Sequence, residues 1–284
     1  MPRPEDNGRV IPPELRLDAG ETAAHLVDFL RRETRRAGFD RLILGLSGGV
    51  DSAVAAALAA RAVGARRVLA ALLPYRTSSP ASLADARRVA RLLKIGTETV
   101  AITPMVDAYF RKARGANRRR RGNRMARERM AILYDLSDRD RRLVVGTSNK
   151  TELLLGYGTI FGDMASALNP IGDLYKTQVR QLALHLGIPE ALVWKVPTAD
   201  LWAGQSDEGE LGYPYVAIDR LLVRLVELRE TPEEIVAAGF PKRMVASIAG
   251  RVARSQFKRR PPVLAKLTRR AVNIDFRYPR DWGS

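Results

Sequence analysis

The sequence contains no cysteine among its 284 residues. This absence excludes disulfide bonds, thiolate-bound zinc and iron–sulfur clusters, and it fits a protein of a reducing cytoplasmic compartment. Long apolar runs are also absent: the most apolar stretch, 50–63, is rich in alanine, carries charge and falls short of the ~20 residues that span a bilayer. Residues 1–6 have no apolar core of the kind a secretory signal needs. We therefore expect a cytoplasmic protein that does not associate with membranes.

Acidic residues are scarce relative to basic ones. The chain has 31 Asp and Glu against 48 Lys and Arg, a formal net charge of +17. The surplus fits a polyanionic ligand, such as a nucleotide, a dinucleotide or nucleic acid, and it fits equally well an arginine-rich surface that only solvates the protein. The densest basic segment, 118–121, lies between Gly115 and Gly122, where we expect a mobile solvated loop.

Hydrophobic patterning predicts strands that alternate with helices. Short apolar runs of the kind found in buried parallel strands occupy 41–46, 66–73, 97–102 and 141–145. Apolar residues at helical spacing occupy 21–36, 51–63, 82–94, 105–111 and 123–136. Alternation of this kind forms right-handed βαβ units. We therefore predict an α/β fold with a doubly wound, Rossmann-like parallel sheet and additional C-terminal helices.

The domain organisation follows from the same pattern. The proline-rich segment 1–20 is predicted to be an N-terminal arm, and 21–284 one domain with an α/β core to about residue 190 and a helical part over 191–284. Ligands of doubly wound sheets lie beyond the carboxyl ends of the strands. The polar segments 47–52, 74–80 and 146–152 follow three of the predicted strands, so we expect the site there.

The most informative segment joins the first predicted strand to the next helix. It consists of Gly45, Leu46, Ser47, Gly48, Gly49, Val50, Asp51 and Ser52. Two adjacent glycines allow a tight turn and close approach to a ligand. The following helix offers free N–H groups to a phosphate, and Ser47 and Ser52 add hydroxyl donors. Asp51 would repel a bare phosphate, so its presence favours Mg²⁺ bound to that phosphate.

A glycine turn with Ser and Asp caps is the plain structural alternative for this segment. The full string after an apolar strand nevertheless resembles the PP-loop of the ATP pyrophosphatases. It is neither a Walker A loop, because no Gly-Lys-Ser/Thr follows, nor a Rossmann fingerprint. The resemblance implies an enzyme that splits ATP between the α and β phosphates and adenylates its substrate.

Later motifs select one branch of the PP-loop group. They stand at 146–152 (Gly-Thr-Ser-Asn-Lys-Thr-Glu), 156–163, 169–177, 197–202, 206–212 and 257–262. In this order they resemble NAD synthetase of the ammonia-dependent type, from about residue 22 to the C-terminus. The resemblance implies ATP-dependent amidation of nicotinic acid adenine dinucleotide by ammonia through an adenylated intermediate, with release of AMP and pyrophosphate. It also implies a homodimer with the dinucleotide site near the subunit interface.

The resemblance also assigns roles to individual residues. Asp51 and Glu152 are implied as Mg²⁺ ligands and, with Lys176, as catalytic residues. Besides 45–52, the implied ATP contacts are Arg76, Thr147, Lys176 and Thr198. The implied contacts to the dinucleotide are Arg127, Asp163, Phe257 and Lys258. Asp163 and Asp173 could assist the metal or orient the substrate, and a turn or capping role is an equal alternative for each.

The sequence departs from the family at three positions of substrate recognition. Ile160, Ala167 and Phe257 stand where many ammonia-dependent members carry lysine, aspartate and histidine. A nitrilase-type glutaminase would need a nucleophilic cysteine, so we predict that this chain uses free ammonia, although a separate glutaminase subunit stays open.

Two rival functions also stay open at this point. The first is another PP-loop amidase or a tRNA-modifying adenylating ligase, for which the positive charge would be an RNA footprint. The second is a non-catalytic nucleic-acid-binding protein, which would leave Asp51 and Glu152 unexplained. We expect no nucleic-acid partner.

Overall fold

The computed structural model describes residues 9–113, 115–202, 204–260 and 262–272. Residues 1–8 of the predicted arm, and Pro261 within the last motif, lie outside these ranges. None of the helices in the described part of the chain combines the length and the apolar character that crossing a membrane requires.

The described residues form one sheet of four parallel strands. The strands are β1 (Leu42–Gly45), β2 (Val68–Leu72), β3 (Gly96–Thr99) and β4 (Leu143–Val144). Their order is β3-β2-β1-β4, with Leu42 opposite Val68 on one side and Leu143 on the other. The chain leaves β1 toward β2 and returns later to β4, so the order reverses between β1 and β4. A crevice at such a switch point is where ligands bind in doubly wound sheets, and the predicted fold class is confirmed.

The described residues form twelve α-helices, several of which cover the two faces of the sheet. In chain order they are α1 (Ala19–Arg36), α2 (Val50–Val63), α3 (Pro80–Leu93), α4 (Thr103–Lys112), α5 (Arg118–Asp140), α6 (Lys150–Leu155), α7 (Lys176–His185), α8 (Glu190–Val193), α9 (Asp207–Leu211), α10 (Tyr215–Leu222), α11 (Pro232–Ala237) and α12 (Lys242–Arg254). Leu42 and Leu44 of β1 face a core built with α1, α2, α3 and α7. Ile43, between them, faces the opposite core of α4 and α5, as the two-residue period of a strand requires.

Helix α2 brings the PP-loop close to the sheet because its side chains are small. Ala53, Ala55 and Ala56 are fully buried, so much of the buried surface of the helix is alanine and the helix can lie close to β1 and β2. The short connection from Gly45 to Val50 then holds the first turn of α2 at the carboxyl end of β1.

A second apolar core joins the C-terminal helices to earlier parts of the chain. It contains Leu155 of α6, Tyr215 and Ile218 of α10, and Ile248 of α12. Leu15, in a short 3₁₀ turn, is also fully buried in it.

Polar contacts attach the same turn to two helices. The side chain of Gln181, in α7, bonds the main chain of Leu17 (3.1 Å) and of Leu15 (2.8 Å). Arg220, in α10, pairs with Glu14 at 2.8 Å. The described part of the predicted arm therefore bridges α7 and α10.

The arginine run at 118–121 is not a loop, and that prediction is wrong. It forms the first turn of α5, which the side chain of Asn117 caps by accepting the Arg120 N–H at 2.9 Å. The Arg121 guanidinium lies 4.7 Å from the centre of the Phe110 ring. A cap together with cation–π contact offsets the cost of placing positive charge at a helix N-terminus.

Candidate active site

A cavity of ≈ 480 Å³ opens beyond the carboxyl ends of the strands. Its wall includes residues 45–52, 71–74, 144–148, 156–159 and 195–202. These segments follow β1, β2 and β4 or belong to the later motifs, so the cavity lies at the switch point. Its volume is in the range of small-molecule sites, and residues from distant parts of the sequence converge on it.

The PP-loop is held by its own two serines. The Ser52 hydroxyl accepts the Ser47 N–H (3.2 Å) and donates to the Gly49 carbonyl (3.0 Å), while the Ser47 hydroxyl accepts the Gly49 N–H (3.2 Å). Gly48 has a φ of +81°, a conformation that other residues adopt only with strain. Gly49 gives α2 no side-chain cap, so the first-turn N–H groups remain available to a phosphate.

Asp51, Glu152 and Lys176 meet at one end of this loop, although they come from three different helices. The Lys176 ammonium forms a short ion pair with one oxygen of Asp51 and lies 3.7 Å from a Glu152 oxygen. The Lys176 side chain is 3% exposed, and those of Asp51 and Glu152 are 15% and 17% exposed. The three predicted catalytic residues therefore form one largely buried cluster, and all three line the cavity.

Asn149 connects two members of this cluster. Its side-chain amide donates to the second oxygen of Asp51 at 2.9 Å, and its carbonyl oxygen caps α6 by accepting the Glu152 N–H at 3.0 Å. Glu152 returns the contact by accepting the Asn149 N–H at 3.2 Å. Asn149 was not among the predicted site residues, although Asn followed by Glu three residues later is a helix-start signal that could have located it.

The two carboxylates of the cluster share one cation, and the pKa values of Glu152 and Lys176 are both shifted. Burial and then the Asp51 charge raise the pKa of Glu152 to about 8, with Lys176 acting in the opposite direction. Burial alone would lower the pKa of Lys176, but Asp51 and Glu152 together raise it. Lys176 therefore stays protonated at neutral pH, whereas Glu152 holds its proton until a further cation arrives.

The donor set fits Mg²⁺ that is carried by a phosphate. Asp51 and Glu152 offer the carboxylate oxygens that Mg²⁺ prefers, and both face the same ammonium group. Across the described ranges, no group of three or more His, Asp or Glu side chains is arranged to hold a metal ion. Mg²⁺ commonly binds through one or two carboxylates, with substrate phosphates completing its shell.

We expect the affinity for Mg²⁺, measured in the presence of ATP, to be roughly tenfold lower at pH 7 than at pH 9. A Mg²⁺ ligand at Glu152 would have to be ionised, and the raised pKa of Glu152 means that binding near neutral pH would displace a proton. Calorimetric titration at several pH values measures the effect. Glu152→Gln is the control, because it should abolish that dependence, and an equal affinity of the wild-type protein at both pH values would contradict the assignment.

The structure places the remaining predicted residues in two groups. Thr147, Thr198, Asp163 and Lys258 all lie in the cavity wall. Lys258 donates to the carbonyl oxygens of Gly156 (2.8 Å) and Gly158 (2.7 Å), and burial lowers its pKa while Asp163 opposes that shift. Asp163 also accepts the Thr159 N–H at 2.8 Å, so it orders the turn that follows α6.

Arg76, Arg127 and Phe257 do not lie in the cavity wall. Arg76 pairs with Asp107 at 2.9 Å, outside the cavity. Arg127 is exposed and donates to the Ile160 carbonyl oxygen at 3.3 Å, and Phe257 is 63% exposed. Ile160 and Ala167, the other departures from the family pattern, are not part of the wall either.

Several charged residues of the wall were not predicted from the sequence: Arg119, Arg129, Lys195, Asp200, Asp207 and Glu210. Asp207 is buried and bonds the hydroxyl groups of Tyr157 (3.1 Å) and Tyr215 (3.2 Å). Arg129 donates to the Leu73 carbonyl oxygen at 3.0 Å, and burial lowers its pKa. Asp207 stands within the motif at 206–212, which could have located it. Arg129 belongs to α5, whose position relative to the loop is decided by tertiary packing, so sequence spacing gave no signal for it.

Comparison with known proteins agrees with this geometry. The profile of the NAD synthase family matches residues 22–262. An NH(3)-dependent NAD(+) synthetase of Trichlorobacter lovleyi is 57% identical over 258 residues, which cover 91% of this chain and 94% of that protein.

Solved structures give the same result. The NH3-dependent NAD synthetase of Campylobacter jejuni, in complex with nitrate, aligns over 88% of this chain and 100% of its own, with a TM-score of 0.75 and 33% identity. The NMN synthetase of Francisella tularensis covers 88% of this chain and 99% of its own, with a TM-score of 0.79 and 31% identity. Both share the fold described above.

Proposed function

The chain belongs to the NAD synthase family and makes NAD from nicotinic acid adenine dinucleotide with ammonia as the nitrogen donor, and we propose that Asp51, Glu152 and Lys176 carry this reaction through an adenylated intermediate. The protein is thus a ligase that forms a C–N bond. Family membership sets aside the tRNA-modifying and the non-catalytic alternatives. The support for the residue roles is the convergence of these three side chains at the PP-loop.

The proposed reaction has two steps. A carboxylate oxygen of the nicotinate attacks the α-phosphorus of ATP, the bond from that phosphorus to the bridging oxygen breaks, and pyrophosphate leaves. Ammonia nitrogen then attacks the acyl carbon, AMP departs with the electrons of the carbon–oxygen bond, and the nitrogen loses a proton. Adenylation is needed because a free carboxylate would have to expel oxide. The protein contributes mainly placement and charge neutralisation.

The PP-loop is proposed to hold the outgoing phosphates. The uncapped first turn of α2 presents N–H groups and the positive end of a helix dipole. The serine bonds within the loop fix its shape before ATP arrives, so little ordering remains when the phosphates bind. Lys176, at the same end, supplies a positive charge for the phosphate oxygens once Asp51 and Glu152 acquire another cation.

Asp51 and Glu152 are proposed to hold Mg²⁺ together with phosphate oxygens. When bound, the ion neutralises phosphate charge and makes pyrophosphate a better leaving group. Asn149 keeps the two carboxylates in place, since it bonds both Asp51 and the first turn of α6. Burial of Lys176 strengthens its electrostatic effect because little water competes for it.

A cytoplasmic homodimer is the proposed state of the enzyme. Arg127 and Phe257, both implied as dinucleotide contacts, are exposed and outside the cavity wall, as expected where a substrate site extends toward a second subunit. Sedimentation at micromolar concentration tests this, and a monomer under those conditions would contradict it.

The reaction is tested by supplying ATP, Mg²⁺, nicotinic acid adenine dinucleotide and ammonium, and by measuring NAD and AMP. We expect equal amounts of both, because each amide formed consumes one adenylate. Glutamine in place of ammonium should give no NAD, since no cysteine is available for a glutaminase nucleophile. ADP instead of AMP would overturn the adenylation mechanism.

A further inference from the structure

Asp219, in the middle of α10, is a fully buried carboxylate that takes part in none of the ion pairs found among the described residues. Three donors surround it instead. One oxygen accepts the Thr151 hydroxyl at 2.6 Å. The other accepts both the N–H and the hydroxyl of Thr177, at 2.8 and 2.7 Å. A carboxylate bonded only by donors is satisfied in its ionised form.

Each of the two threonines is the chain neighbour of a cluster residue. Thr151 precedes Glu152 in the first turn of α6, and Thr177 follows Lys176 in the first turn of α7. The Thr151 hydroxyl oxygen also accepts the Lys176 N–H at 3.0 Å. The bonds close a ring, so a single carboxylate fixes both helix starts relative to each other.

Helix α10 also contacts the other end of Lys176. The ammonium lies 5.1 Å from the centre of the Tyr215 ring, and Tyr215, like Asp219, belongs to α10. The backbone of Lys176 is thus tied to Asp219 through Thr151, while its ammonium rests on Tyr215. Tyr175, which precedes α7, donates its hydroxyl to Glu227 at 2.9 Å. The first two N–H groups of α7, those of Lys176 and Thr177, are instead accepted by Thr151 and Asp219.

We propose that Asp219 is a positioning residue, which aligns the starts of α6 and α7 so that Glu152 and Lys176 converge on Asp51. Asp219 is not part of the cavity wall, and it acts on the reaction only through the two helices. The negative charge also faces the positive end of the α7 dipole, which stabilises this arrangement. The inference rests on the roles proposed above for Glu152 and Lys176.

Thr151→Val tests the inference without removing a buried charge. Valine keeps the shape of threonine but loses the hydroxyl that bonds Asp219 and accepts the Lys176 N–H. We expect kcat to fall about 10–100-fold and the KM for the dinucleotide to stay within about twofold, because the misplaced groups act on the transition state. Thr151→Ser restores the hydroxyl and should recover most of kcat.

Thr34→Val is the matched control for the loss of a buried hydroxyl. Thr34 is fully buried and donates to the Leu30 carbonyl oxygen at 2.6 Å within α1, a helix that carries none of the cluster residues. Thr34→Val should therefore leave kcat unchanged. The double variant Thr151→Val/Thr177→Val should lose less kcat than the product of the two single fold-losses, because both substitutions act through Asp219.

The kcat values of these variants decide whether Asp219 positions the two helices. Wild-type kcat in Thr151→Val overturns the inference, and so does a Thr151→Ser enzyme as impaired as Thr151→Val. Full activity in Asp51→Asn would instead refute the proposed active site, and it would do so whatever Thr151→Val shows.

Discussion

Replacing Asp51 with asparagine should reduce kcat for NAD formation at least ~10³-fold, equivalent to about 4 kcal/mol of transition-state stabilisation. Asparagine preserves the shape of the side chain, so the bond from the Asn149 amide can remain. It removes the charge that faces Lys176 and, in the proposed mechanism, the metal ion. AMP release under saturating ATP and ammonium measures the loss, and a thermal melt shows that the protein is folded.

Asp173→Asn is the matched control for that experiment. It removes the same charge from the motif at 169–177, but the Asp173 side chain is 94% exposed and pairs with Lys150 at 2.8 Å. An exposed ion pair contributes little, so kcat should change by no more than about twofold. Equal rates of AMP release from the Asp51 and Asp173 variants would show that the metal site lies elsewhere.

Replacing Gly48 with alanine should weaken ATP binding by at least ~100-fold, about 2.7 kcal/mol. A Cβ at this position would lie 2.1 Å from the Ser82 carbonyl oxygen and 3.2 Å from the Ala86 main-chain nitrogen. Both are backbone atoms of the α3 region, so neither can rotate out of the way. Either the PP-loop or the start of α3 must then shift, and the N–H groups of the first turn of α2 no longer point toward the phosphates. Calorimetric titration with ATP and Mg²⁺ measures the change.

Gly187→Ala separates the collision from the strain of a positive φ. Gly187 has a φ of +79°, close to that of Gly48, but a Cβ there would meet nothing within 4 Å. Both variants carry the left-handed conformational cost of about 1–2 kcal/mol, which should lower the melting temperature of each. Gly187→Ala should bind ATP normally. If it lost ATP affinity to the same extent, global destabilisation would explain the Gly48 result.

The sheet and the PP-loop were predictable because their signals are local. Apolar runs before glycine and polar residues identified β1 and β2, and the loop motif stands within eight consecutive residues. Glu152 and Lys176 were located by resemblance, and the structure brings both to Asp51. The residue roles remain predictions until the variants above are measured.

The rest depends on contacts between residues far apart in sequence. Whether Arg76 faces the cavity or Asp107 is decided by how α4 lies against the loop after β2. The start of α5 at Arg118 depends on Asn117 and on the Phe110 ring of the preceding helix. The high arginine content of 118–121, taken alone, therefore led to the wrong prediction of a loop. No sequence motif indicates the role of Asp219, because its partners Thr177 and Thr151 lie 42 and 68 residues away in the sequence.

The turn at Pro13–Leu15 has a practical consequence for anyone who shortens or tags the protein. Gln181 and Arg220, which hold this turn, belong to the same two helices that carry Lys176 and Asp219. A truncated version that began at residue 21, the start of the domain suggested by sequence, would lack this brace between the helices. Affinity tags and fusion partners are therefore best joined ahead of the turn by a flexible spacer, so that Leu15 can still enter its core.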